Sequence, residues 1–89
     1  MPKRSLRKPR KVLTRVLADN IRHWRRAKNL SQEDLAAVCG LHRTYVGSVE
    51  RAERNVTLST LEAFATAFGI SVPELLTPWG AKDDVHQKS

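Results

Sequence analysis

Residues 31–51, Ser31-Gln-Glu-Asp-Leu-Ala-Ala-Val-Cys-Gly40-Leu-His-Arg-Thr-Tyr-Val-Gly-Ser-Val-Glu-Arg51, decide how the chain folds. Ser31 followed three residues later by Asp34 is a capping-box pattern, with Asp in place of the preferred Glu or Gln. It predicts a short helix running to Cys39. Gly40 ends that helix, because the position after a helix often takes a left-handed backbone that glycine adopts cheaply. Leu41 and His42 make the turn, and a second short helix is predicted from about Arg43 to Arg51. Leu35 and Cys39 fall on the inner face of the first helix, and Val46 and Val49 on that of the second. Ala36 is small where the two must approach. Two short helices across a glycine-centred turn form a helix-turn-helix, although some such pairs are purely structural.

The outer face of the second helix carries the chemistry. Arg43, Thr44, Gly47 and Ser48 are expected to point away from Val46 and Val49. A DNA major groove about 12 Å wide admits one such helix. Arg43, at the N-terminal end, can form a two-pronged bond to guanine, and Thr44 and Ser48 can bond base edges. Gly47 leaves room for close backbone approach. Phosphate contacts are expected from Gln32 at the start of the preceding helix, where backbone N–H groups and the helix dipole favour anions. His42, Tyr45, Arg51, Arg54 and Asn55 join it as phosphate candidates. For Arg51 and Arg54 the plain alternative is a solvated surface charge, and for Tyr45 it is ring packing.

Working outward, a first helix is predicted from about Val12 to Lys28, with Leu13, Leu17, Ile21 and Trp24 at helical spacing. A fourth follows from Leu58 to Phe68, with Leu58, Leu61, Phe64, Ala65 and Phe68 facing inward, and Gly69 ends it. Ser71-Val-Pro-Glu74 is another capping box and opens a short fifth helix through Leu76, stopped by Pro78. Strand alternation is nowhere sustained. The expected architecture is all-α: a flexible basic arm over 1–11, a helical domain over 12–79 and a polar tail over 80–89.

A chain of 89 residues buries only about 60–65% of its unfolded surface, which leaves hardly any room for a deep active site. Lys and Arg number 16 against 9 Asp and Glu, a net charge of +7. Lys3, Arg4, Arg7, Lys8, Arg10 and Lys11 sit in the arm without an acid among them. Such an arm suits a polyanion, and the alternative is a solvated tail with no partner. The single cysteine, Cys39, excludes an intramolecular disulfide and fits a reducing compartment. No apolar run approaches the length of about 18 residues that a membrane span needs. His23, His42 and His86 lack metal-ligand spacing. No phosphate-cradling glycine loop or nucleophile–base pair stands out. No cofactor, metal or small-molecule ligand is therefore expected, nor catalysis, and the expected address is the cytoplasm.

Residues of about 21–76 resemble the Cro/C1-type (Xre) helix-turn-helix domain of phage repressors. The resemblance rests on Ile21-Arg-His-Trp-Arg25, Leu30-Ser-Gln-Glu-Asp-Leu-Ala36, Gly40-Leu-His-Arg-Thr-Tyr-Val46, Val49-Glu-Arg51 and Phe64-Ala-Thr-Ala-Phe-Gly-Ile-Ser-Val-Pro-Glu-Leu-Leu76. Within that family, Arg43 to Arg51 followed by Asn55 is most similar to controller proteins of restriction–modification systems. The resemblance implies a five-helix, lambda-repressor-like fold, a homodimer and a roughly palindromic operator on double-stranded DNA in a bacterial or phage-encoded, nucleoid-associated regulator. It also implies that Arg25 and Glu50 are a structural ion pair between the first and third helices. Ala52 stands where the family commonly has Gly.

Ile70, Val72, Leu75, Leu76 and Trp79 offer more apolar surface than a short terminal helix needs, so a dimer interface is expected there, with core packing as the alternative. Two functional alternatives remain. One is the antitoxin of a toxin–antitoxin pair, which binds its promoter and a toxin protein. The other is an interaction module that does not bind DNA, which the polar face of Arg43, Thr44 and Ser48 argues against.

Overall fold

The structure, a computed structural model, describes residues 11–79. They form five helices: α1 (Lys11–Ala27), α2 (Gln32–Cys39), α3 (Arg43–Glu50), α4 (Leu58–Phe68) and α5 (Val72–Leu75). The predicted arm and tail lie outside the described residues, except that Lys11 opens α1.

The caps read from the sequence are formed. The Asp34 N–H donates to Ser31 Oγ at 2.9 Å and the Ser31 N–H donates to Asp34 Oδ2 at 3.0 Å. Ser71 and Glu74 repeat this reciprocal pair at 3.1 and 3.2 Å. Each bond satisfies a backbone donor that a helix start leaves without an intrahelical partner.

Four helix ends close in the same way, by a bond from an N–H to the carbonyl five residues earlier. These are Leu30 to Arg25 (3.0 Å), Leu41 to Ala36 (2.8 Å), Glu53 to Ser48 (3.0 Å) and Ile70 to Ala65 (3.0 Å). The closure requires a left-handed residue just before the donor. Gly40 and Gly69 supply it at φ 70° and 73°, and Asn29 and Ala52 adopt it at φ 58° and 61°. Asn tolerates this region, whereas Ala carries its full steric cost of about 1–2 kcal/mol. Ala52 therefore reproduces the turn that glycine commonly makes, under strain.

α1 packs against α3, α4 and α5, while α2 packs against α3 and α4. The core between them holds Ile21, Leu35, Val46, Phe64, Phe68 and Leu75, each no more than 2% exposed. Leu58 and Leu13 depart from the inward positions expected of them, being 78% and 54% exposed. Each lies in the first turn of its helix, past the edge of the packed layer, so the buried stripes begin one turn later at Leu61 and Leu17.

Asn20 is a buried polar residue on α1. Its amide nitrogen donates to the carbonyls of Leu75 and Thr77 at 2.7 and 2.9 Å. It thereby satisfies main-chain acceptors at the end of α5, which would otherwise be costly to bury. Beyond them the Trp79 ring lies 4.0 Å from that of His23 and 5.6 Å from that of Trp24, centroid to centroid.

Candidate nucleic-acid interface

The C-terminal end of α3 is clamped from α1. Arg25 donates through Nε and Nη2 to Glu50 Oε2 and Oε1 at 2.6 and 3.1 Å, and through Nη1 to the Leu30 carbonyl at 2.9 Å. Both side chains are largely buried, at 12% and 3% exposure. Gln32 Nε2 adds a third donor to Glu50 Oε1 at 3.0 Å. One turn before Arg25, Arg22 donates to the main-chain carbonyl of Glu50 and pairs with Asp19. Two guanidinium groups thus meet the end of α3 where the helix dipole is negative. This arrangement fixes the angle at which the opposite end leaves the protein.

At that opposite end His42, Arg43 and Thr44 are exposed. His42 is the N-cap residue and makes no side-chain cap bond. Tyr45 is half-buried, with the guanidinium carbon of Arg54 lying 5.6 Å from its ring centroid. Arg51, Arg54 and Asn55 are exposed on the loop that follows α3.

The next turn of α3 differs from expectation. Ser48 is 5% exposed and Gly47 is buried, so neither is turned outward with Arg43 and Thr44. The loop after α3 folds back over this turn once Ala52 reverses the chain. The Ser48 hydroxyl donates to the Tyr45 carbonyl at 2.7 Å and accepts from Arg54 Nε at 3.2 Å. A Cβ on Gly47 would stand 3.2 Å from Arg51 Nη1 and 3.4 Å from Gln32 Oε1. Glycine here leaves space for two side chains crossing the helix.

Gln32 is more constrained than the free phosphate ligand that the sequence suggests, because one N–H of its side-chain amide is held by Glu50, which leaves the second. The backbone at the start of α2 remains at the surface, where Ser31 and Glu33 are exposed. Arg51 pairs with the Glu53 carboxylate at 3.1 and 3.2 Å.

Among the residues expected at a dimer interface, Leu75 is 0% exposed and belongs to the core of its own chain, which removes it from any such contact. Ile70, Val72, Leu76 and Trp79 are half-buried. Sequence reasoning missed Asn20 and Arg22. The one available signal was for Arg22, whose spacing of three residues puts it on the same helix face as Arg25.

Cys39 lies against the core, and burial pushes its thiol pKa above the ordinary value. Its Sγ is 3.7 Å from the Ala63 carbonyl. Among the described residues no cluster of His, Cys, Asp and Glu is arranged to hold a metal ion, and no helix is long and apolar enough to cross a membrane.

Two short helices packed across the turn at Gly40, the second clamped at one end and exposing an arginine and a threonine at the other, make up a helix-turn-helix. The chain belongs to the helix-turn-helix family whose model matches residues 21–75. It is similar to control protein C.SmaI of Serratia marcescens, 61% identical over 69 residues that cover 78% of this chain and 82% of that protein. The crystal structure of the hypothetical transcription factor NHTF from Neisseria matches with a TM-score of 0.80 at 44% identity, over 86% of this chain and 90% of that one. The restriction-modification controller protein C.AhdI from Aeromonas hydrophila matches with a TM-score of 0.67 at 47% identity, over 70% and 94%.

Proposed function

We propose that the chain is a sequence-specific transcriptional regulator that binds a roughly palindromic operator as a homodimer and controls a restriction–modification operon. The observation that carries this reading is the exposure of Arg43 and Thr44 at the free end of a helix whose other end is held by Arg25. Arg43 and Thr44 read base edges. His42, Tyr45, Arg54 and Asn55, with the backbone at the start of α2, hold the phosphates on either side. Arg51 joins them when Glu53 releases it. In a dimer the two copies of α3 enter successive major grooves, about 34–36 Å apart. Ile70, Val72, Leu76 and Trp79 contribute the contact between copies.

The work is done at the nucleoid, in the cytoplasm, and involves no catalytic step and no cofactor. The basic arm adds sequence-independent contacts to phosphate. The similarity to control proteins favours this reading over that of an antitoxin.

Titration of the protein with duplex fragments of its own upstream region and with unrelated duplex, at two salt concentrations, tests the proposal. Expected are a preference for one fragment and a steep fall of affinity with salt, each phosphate contact adding about 0.9 to the logarithmic slope. Equal affinity for every duplex, or none, would contradict it. Light scattering on the complex should report two chains per duplex site.

A further inference from the structure

We infer that Ser48 is a positioning residue for DNA recognition, acting through Arg54 rather than touching a base itself. The inference rests on the DNA-binding reading above. A serine hydroxyl has one hydrogen to give and two lone pairs. In Ser48 the hydrogen goes to the Tyr45 carbonyl at 2.7 Å, and a lone pair receives the Arg54 Nε–H at 3.2 Å. With its Nε held there and its guanidinium over the Tyr45 ring at 5.6 Å, Arg54 is fixed at two points on the flank of α3. Of the five N–H donors of an arginine, the four on the terminal nitrogens remain for a ligand.

The other arginine of this loop shows what the arrangement achieves. Arg51 is also exposed, but both its Nε and one terminal nitrogen are taken by the Glu53 carboxylate, which cancels its charge locally. Arg54 is held by a neutral hydroxyl and a ring face, so it keeps its full positive charge. A side chain already ordered in the free protein loses less rotamer freedom when it meets a phosphate or a guanine edge. The burial of Ser48 makes the anchor durable, since water reaches the hydroxyl poorly and competes little for the bond. Ser48 thus converts a mobile surface charge into a directed one.

A double-mutant cycle tests this. The probe is a duplex selected from a random pool by the wild-type protein, and the readout is affinity for it by wild type, Ser48→Ala, Arg54→Ala and the double variant. Ser48→Ala is expected to weaken binding roughly threefold to tenfold, the size of one intramolecular hydrogen bond. In the Arg54→Ala background the same change should have no further effect. Arg54→Lys, which keeps the charge but lacks the Nε–H and the planar group, should resemble Ser48→Ala. Circular dichroism melting confirms that each variant is folded, and Arg54→Lys, at the surface, keeps the test open if Ser48→Ala unfolds. Equal losses from Ser48→Ala with and without Arg54 would overturn the inference, as would wild-type affinity in Arg54→Lys. If the wild-type protein selects no duplex at all, the DNA-binding reading falls first and the inference with it.

Discussion

Arg25 and Glu50, twenty-five positions apart, meet in a two-pronged ion pair at 2.6 and 3.1 Å that fastens the end of the proposed recognition helix to α1. Glu50 is almost fully buried, and Gln32 completes its hydrogen bonding. A buried pair of this kind is costly to desolvate, so its net stabilisation is modest, but removing one partner strands the other.

Arg25→Ala should therefore cost about 3–5 kcal/mol of folding stability. Chemical unfolding curves measure this directly. The loss of DNA affinity should follow the loss of folded protein, because Arg25 acts on the far end of α3 from the exposed Arg43. An unchanged unfolding midpoint would show that the pair does not hold the helix.

Ala52→Gly should stabilise the protein. The left-handed backbone at φ 61° costs alanine about 1–2 kcal/mol, against about 0.5–1 kcal/mol that glycine loses through its freer unfolded chain. The balance is a gain of up to about 1.5 kcal/mol, or a few degrees of melting temperature for a domain this small. A lower melting temperature would mean that the Ala52 methyl contributes more by its burial than its strain costs.

Asp34 makes part of the stability depend on pH. Its hydrogen bonds from the Ser31 backbone and hydroxyl lower its folded-state pKa. A depressed carboxyl pKa adds stability above the unfolded-state value and loses it as pH falls through the folded-state value. Wild type should therefore melt above Asp34→Asn at about pH 7, and the gap should narrow as pH falls below the ordinary carboxyl value of about 3.9 and through the lower folded-state value. A gap of constant size across that range would refute a charge-dependent cap.

Partial burial raises the pKa of the Cys39 thiol, so at a given pH less of it is thiolate than in a free cysteine. Alkylation of the native protein at about pH 8 should be slower than after denaturation. Equal rates would place the sulfur in open solvent.

Local signals made most helix boundaries legible. Ser31 with Asp34, Ser71 with Glu74, and Gly40 and Gly69 mark starts and stops through bonds spanning three to five residues, which a sequence displays directly. What stayed hidden depends on the tertiary path. Ser48 lies on a face that spacing assigns to solvent, and it is buried because the loop beyond Ala52 returns across it. Gln32 has the residue type of a phosphate ligand, yet one N–H of its amide is held by Glu50, eighteen positions away. Asn20 finds its acceptors at Leu75 and Thr77, at the far end of the chain, and no spacing rule links them. Leu58 and Leu13 keep the helical period but lie past the edge of the layer it faces.

The most direct test is to select bound sequences from random duplex DNA with the wild-type protein and with Arg43→Ala. Wild type should yield a half-site repeated with twofold symmetry. Arg43→Ala should keep the symmetry and spacing while losing preference at one base pair per half-site, worth about 1–3 kcal/mol of discrimination. The same half-site recovered with undiminished preference by both proteins would contradict recognition through the exposed end of α3.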